Sequence, residues 1–124
     1  MEAPAICTDV FVVDDQRPFI DAAIAVLEAS DGLRFAGCAT DRTTALSSLI
    51  DHEAPADLVL MDICLGEDDG VALAAEILAA RPELSVVLVS TISETDLGEM
   101  GGASGYIPKS RLTTEALNHW RTTV

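Results

Sequence analysis

Two apolar runs in this chain stop at aspartate. Val10-Phe11-Val12-Val13 runs into Asp14-Asp15, and Leu58-Val59-Leu60-Met61 runs into Asp62. Two more polar groups stand at comparable points: the Ser90 hydroxyl after Val86-Val87-Leu88-Val89, and the Lys109 ammonium after Gly105-Tyr106-Ile107-Pro108. Gathered in one place, such groups form a seat for a cation and a phosphoryl group. Mg2+ takes hard oxygen ligands, usually one or two carboxylates with several waters kept. Two aspartates on adjacent strand ends plus a backbone carbonyl suit that demand. Cation and lysine would stabilise phosphoryl oxygens while one aspartate attacks. Taken singly, each group has a plainer reading. An Asp-Asp pair is turn chemistry, Ser90 a turn hydroxyl, and a lone lysine a surface charge.

The elements decide whether these groups meet. Short valine-rich runs read as strands buried on both faces, the kind found in parallel sheets. Strands are predicted at Asp9–Val13, Arg34–Ala39, Asp57–Met61, Leu84–Val89 and Gly105–Pro108. If they are parallel, their carboxyl ends share one sheet edge, where open α/β sheets place their sites. Three carboxylates there cost free energy unless a cation or proton offsets them.

Helical segments alternate with the strands. Ile20, Ala23, Ile24, Val26 and Leu27 give a first helix, stopped by Asp31-Gly32. Ala45, Leu46, Leu49 and Ile50 give a second over about Arg42–His52, ending before Pro55. Val71 to Leu78 gives a third, halted by Arg81-Pro82. The last begins with Thr113 or Thr114 as N-cap and packs Ala116, Leu117 and Trp120. The fourth, Glu94–Met100, contains Gly98 and runs into Gly101-Gly102. About seven residues give only ~10 Å of helix, marginal without tertiary support. The expected fold is α/β: one doubly wound (βα)5 domain over residues 1–124, without a second domain.

Composition narrows the function. With 21 acidic and 7 basic residues the formal charge is −14, which argues against direct contact with nucleic acid or an anionic membrane. No stretch approaches the ~18 apolar residues of a membrane span, and Met1-Glu2-Ala3-Pro4 lacks the features of a secretory signal. A cytoplasmic location is the expectation. The cysteines at 7, 38 and 64 have no metal-ligand spacing. Cys7 and Cys38 read as small packing residues. His52 and His119 receive no role. Lys109 is the chain's single lysine.

In order along nearly the whole chain stand Asp14-Asp15, Asp62, Gly70 eight residues later, Ser90, and Gly102-Ala103-Ser104-Gly105-Tyr106-Ile107-Pro108-Lys109. This pattern resembles the receiver domain of two-component response regulators. Val13-Asp14-Asp15-Gln16 and Gly105 to Ser110 look closest to the subfamily with a C-terminal helix-turn-helix, a domain not found in this chain. The resemblance implies a five-stranded parallel sheet in the flavodoxin-like order 2-1-3-4-5. It implies that Asp62 accepts a phosphoryl group from a histidine kinase or histidine phosphotransfer protein. Asp15, Asp62 and the Cys64 carbonyl would bind Mg2+, with Asp14 acting largely through water. Lys109 would contact the phosphoryl oxygens and the Asp62 carboxylate. Ser90 and Tyr106 would be the switch residues, moving towards the phosphoryl group and inward. The face near Tyr106 and Trp120 would suit a homodimer or output partner. Independent enzymatic turnover is not expected. The alternatives are a degenerate receiver that binds partners without phosphorylation, and an aspartate-nucleophile phosphotransferase or phosphatase. The latter is weakened because Cys64, two beyond Asp62, is no general acid.

Three departures stand out. Gly66 occupies a position where receivers commonly carry proline, which predicts a looser loop after Asp62. Glu67, Asp68 and Asp69 add charge there, read as loop solubility and capping of the next helix. The segment from Ser90 to Gly102 is shorter than is usual in the family by roughly one helical turn, which predicts a shortened or irregular fourth helix and an altered output surface. Finally, Cys64 and Ile92 stand where receivers flank the path of the hydrolytic water, and neither orients water well. A phosphorylated Asp62 is therefore expected to hydrolyse slowly, and a phosphate-release assay giving a half-life of seconds would refute this.

Overall fold

The computed structural model describes residues 7–91 and 102–120. Five strands, β1 (Thr8–Val13), β2 (Leu33–Ala39), β3 (Leu58–Asp62), β4 (Ser85–Ser90) and β5 (Gly105–Pro108), form one sheet. Their order is β2-β1-β3-β4-β5 and every neighbouring pair is parallel. This is the doubly wound arrangement expected from the sequence. The expected fourth helix, Glu94–Met100, and Ile92 lie outside the described residues. No described helix is long and apolar enough to cross a membrane.

Period-two alternation sorts the strand residues onto two faces. Val10 and Val12, Leu58 and Leu60, Val87 and Val89, and Ile107 pack on one face under helix α1 (Arg17–Glu28), with Ile20, Ala23, Leu27 and Leu117. Phe11 and Val13, Val59 and Met61, and Val86 and Leu88 pack on the other. There they meet Ala45 and Leu49 from α2 (Arg42–Leu46) and the π-helical turn Ser47–Asp51 that continues it, and Leu73, Ala74 and Ile77 from α3 (Gly70–Ala80). Almost all these side chains are fully buried, at roughly 1.5–3 kcal/mol for each large one. The strands read as continuous apolar runs because both faces are covered.

Three of the described helices begin where polar side chains cap them. Asp41 accepts from the Thr44 N–H, and Asp69 from those of Val71 and Ala72, so Asp69 has the capping role expected of it. Thr113 caps the last described helix, Thr114–Asn118. The Arg81 guanidinium donates to the Leu49 and Ala54 carbonyls, holding the segment after α2 against the end of α3.

One expectation is corrected. The loop after Asp62 is closed, because Cys64–Leu65 pairs antiparallel with Asp68–Asp69. Gly66 has φ 62°, the positive value that a two-residue hairpin needs at its first central position. Glycine here shapes a tight turn instead of loosening the loop. The Cys64 side chain is exposed, and Cys7 and Cys38 are half-buried free thiols, with Cys38 packed against the α1-side core.

Gly70 opens α3 against the end of β3. Its N–H donates to the Ile63 carbonyl at 2.7 Å. A Cβ there would lie 1.8 Å from the Asp62 carbonyl oxygen, so only glycine lets helix and strand approach this closely. Gly70→Ala should therefore lower stability by about 3 kcal/mol, measured by urea denaturation, and an unchanged midpoint would refute the close approach.

Candidate functional site

The sheet places the predicted residues at its carboxyl edge. Asp62 is the last residue of β3, paired with Val89, and Ser90 is the last of β4, paired with Pro108. Asp14 and Asp15 follow β1, where the Asp14 N–H donates to the Ala39 carbonyl at 3.1 Å. Lys109 follows β5 at the start of a 3-10 turn, Lys109–Arg111.

Asp14, Asp62 and Ser90 are buried, and Asp15 is exposed. One oxygen from each of Asp14, Asp15 and Asp62 falls within a common span of 4.8 Å. The Lys109 Nζ lies 2.7 Å from Asp14 Oδ2 and 3.5 Å from Asp62 Oδ2, with only 13% of its side chain exposed. Each carboxylate is also pinned by a backbone N–H. Gln16 donates to Asp14 Oδ1 at 2.8 Å, Cys64 to Asp62 Oδ1 at 3.2 Å, and Gly66 to Asp15 Oδ2 at 3.0 Å. The hairpin that Gly66 forms therefore holds a site residue from the opposite strand.

Burial pushes the Asp62 carboxyl up to about 6, and the negative charge of Asp14 adds to this. Lys109 and the Cys64 N–H pull the other way, and Asp15 raises it slightly further. The lysine offsets one of three carboxylates and leaves two formal negative charges at the edge. Asp14 Oδ2, fully buried, accepts no well-formed hydrogen bond among the described residues; its close contact is the ammonium. Hard oxygens and excess negative charge suit a divalent cation, and one or two carboxylates with bound water are what Mg2+ takes.

Ser90 and Tyr106, expected from the sequence as a switch pair, lie on the other side of the sheet edge. Tyr106 packs against the core face of α2 and α3, and its hydroxyl donates to the Ser90 carbonyl at 3.4 Å. Trp120 packs on the α1 face, where its ring covers Gly105 so closely that a Cβ there would come within 2.3 Å of it. Tyr106 and Trp120 thus flank β5 from opposite faces.

Sequence reasoning missed four contributors: the backbone donors of Gln16, Cys64 and Gly66, and the ring of Phe19, which lies 4.7 Å from the Lys109 ammonium. Phe19 follows Pro18 in the first turn of α1, a place where an apolar residue reads simply as core.

Residues 10–119 match the family described as the response regulator receiver domain. A protein-glutamate methylesterase/protein-glutamine glutaminase of Paramagnetospirillum magneticum is 29% identical over 123 residues, covering 93% of this chain and 32% of that protein. The chain spans between 23% and 32% of the length of the curated relatives it matches. The receiver domain of the response regulator NarL from Mycobacterium tuberculosis superposes with a TM-score of 0.79 at 24% identity, covering 93% of this chain and 96% of that one. A Burkholderia pseudomallei response regulator with a phosphorylated aspartic acid and a calcium ion superposes with a TM-score of 0.76 at 20% identity, covering 94% and 67%.

A carboxyl raised to about 6 in the folded protein binds its proton more tightly there than in the unfolded chain, where it titrates near the ordinary aspartate value of 3.8. The folded state then holds the extra proton between about pH 4 and 6, so stability falls as pH rises through that window. Without metal, Asp62→Asn should be more stable than the parent by about 2–3 kcal/mol at pH 7.5. The difference should shrink towards zero near pH 4. Denaturation at both pH values checks this, and a gap that is independent of pH would refute it.

Proposed function

The chain belongs to the response regulator receiver domain family, and on that premise we propose that it is a phosphorylation-operated signalling receiver with Asp62 as acceptor. The observation that carries this reading is the buried Asp62 carboxylate beside the single lysine, with Asp14 and Asp15 within reach of a common cation. The phosphorylated aspartate of the Burkholderia relative supports it.

An ionised Asp62 oxygen forms a bond to phosphorus as the phosphorus–nitrogen bond of a partner's phosphohistidine breaks. The imidazole leaves with that electron pair and is protonated. Lys109 stands 3.5 Å from Asp62 Oδ2, so its ammonium meets the incoming phosphoryl oxygens. The Cys64 N–H fixes the other carboxylate oxygen. Asp15, Asp62 and the Cys64 carbonyl would hold Mg2+, with Asp14 acting through bound water. When bound, the ion supplies charge neutralisation to the transferring group. Ser90 and Tyr106 form the switch, which one added covalent charge biases.

The donor is a histidine kinase or histidine phosphotransfer protein, and residues 1–124 act as one receiver domain. A homodimer or output partner would dock beside β5, near Tyr106 and Trp120. Methylesterase activity is no part of this proposal, because the match covers 32% of that relative.

Incubation with Mg2+ and acetyl phosphate or beryllofluoride should give a stable adduct, seen by mass spectrometry or fluorine NMR. The adduct should be absent in Asp62→Asn and strongly reduced in Lys109→Ala. An unmodified parent protein would favour a phosphorylation-independent interaction module, and rapid multiple turnover would favour a phosphotransferase or phosphatase.

A further inference from the structure

The Lys109 ammonium touches a third group to which the phosphoryl chemistry gives no task. It sits 4.7 Å from the centroid of the Phe19 ring, within reach of cation–π attraction. Phe19 is placed there by the same carboxylate that binds the lysine. Asp14 Oδ1 accepts the Gln16 N–H at 2.8 Å, and the Gln16 carbonyl accepts the Phe19 N–H at 3.0 Å. Oδ2 of the same carboxylate lies 2.7 Å from the ammonium. Asp14 therefore ties the first turn of α1 to the lysine that this turn covers.

Lysine is a flexible four-carbon stem carrying a strongly hydrated point charge. Two carboxylates at unequal distances do not by themselves fix its ammonium. We propose that Phe19 is a positioning residue for Lys109, its ring face holding the ammonium between Asp14 and Asp62 where phosphoryl oxygens arrive. The proposal rests on the phosphoryl-acceptor reading of Asp62. An aliphatic side chain would pack on the lysine stem but lacks the ring quadrupole. The ring also covers the ammonium, consistent with the 13% exposure of the Lys109 side chain. The ring contact and the Asp14 contact thus act on one cation from separate elements, α1 and the loop after β1.

The test compares Phe19→Leu, Phe19→Tyr, Lys109→Ala and the double variant Phe19→Leu/Lys109→Ala, with acetyl phosphate as donor. Phe19→Leu should lower the maximal phosphorylation rate roughly tenfold, with Mg2+ affinity by calorimetry unchanged. Phe19→Tyr should retain the parental rate. In the Lys109→Ala background, Phe19→Leu should add no further loss, since the ring acts only through the ammonium. Because the chain has one lysine, lysine-selective labelling gives a single side-chain NMR spin system. Its Cε protons should carry a ring-current shift that disappears in Phe19→Leu and persists in Phe19→Tyr. Parental phosphorylation by Phe19→Leu, equal losses in both lysine backgrounds, or no ring-current shift in the parent would each overturn the proposal alone. A parent protein that takes no phosphoryl group would overturn the receiver reading, and the role of the ring with it.

Discussion

The Lys109 ammonium lies 2.7 Å from Asp14 and 3.5 Å from Asp62, two carboxylates that the fold has removed from water. Removing an ion from water costs several kcal/mol, and attraction repays it only with good geometry and further hydrogen bonds. The surrounding structure supplies these. Gln16 and Cys64 donate backbone N–H groups to the buried pair. Gly70 lets α3 close on the Asp62 backbone, and the Gly66 hairpin fixes the exposed Asp15. Burial, and the negative charge of Asp14 that one lysine does not fully balance, leave Asp62 harder to ionise than a free aspartate. Two formal negative charges remain at the edge, which suits a divalent cation.

Period-two alternation then divides the site between two faces. Val10, Val12, Leu58, Leu60 and Ile107 face α1, and continuing the same parity reaches Asp14, Asp62 and Lys109. The odd and even positions that remain lead to Ser90 and Tyr106, beside α2 and α3. The charged groups on one side, and Ser90 with Tyr106 on the other, are thus extensions of the two halves of the core. They meet only at the strand ends, where β4 and β5 pair Ser90 with Pro108, one residue before Lys109.

This division explains what was legible in the sequence. Strand runs, their alternation with helices and the polar residues that end them are local patterns, and they were enough to bring Asp14, Asp62, Ser90 and Lys109 to one edge. Strand ends were read one residue short at Asp62 and Ser90, because their ladder partners, Val89 and Pro108, are distant in sequence. Gly66 on its own reads as flexibility, since a turn's φ depends on the strands it joins. Arg81 gave no hint of its reach to Leu49 and Ala54, and Phe19 looked like any apolar residue of a first helical turn. Local periodicity places a side chain on a face; only the folded chain shows which cation lies over its ring.

The two lysine distances carry a consequence for how a switch could work here. A phosphoryl group on Asp62 presents more negative charge than the Asp14 carboxylate, so the ammonium's preference would turn from Asp14 towards it. Asp14 cannot simply be left behind. Its Oδ2 is fully buried and, among the described residues, has the ammonium as its one close polar partner, and stripping a buried carboxylate of its partner costs about 3–5 kcal/mol. The lysine would therefore gain freedom to move only when Asp14 receives compensation from elsewhere, such as a divalent cation, for which Asp14, Asp15 and Asp62 each offer one oxygen within 4.8 Å of the others. On the receiver reading, a bound cation would supply positive charge to the transferring group and to Asp14 alike. Pro108-Lys109 would then be the sensitive joint, because Pro108 pairs with Ser90, whose carbonyl accepts from the Tyr106 hydroxyl.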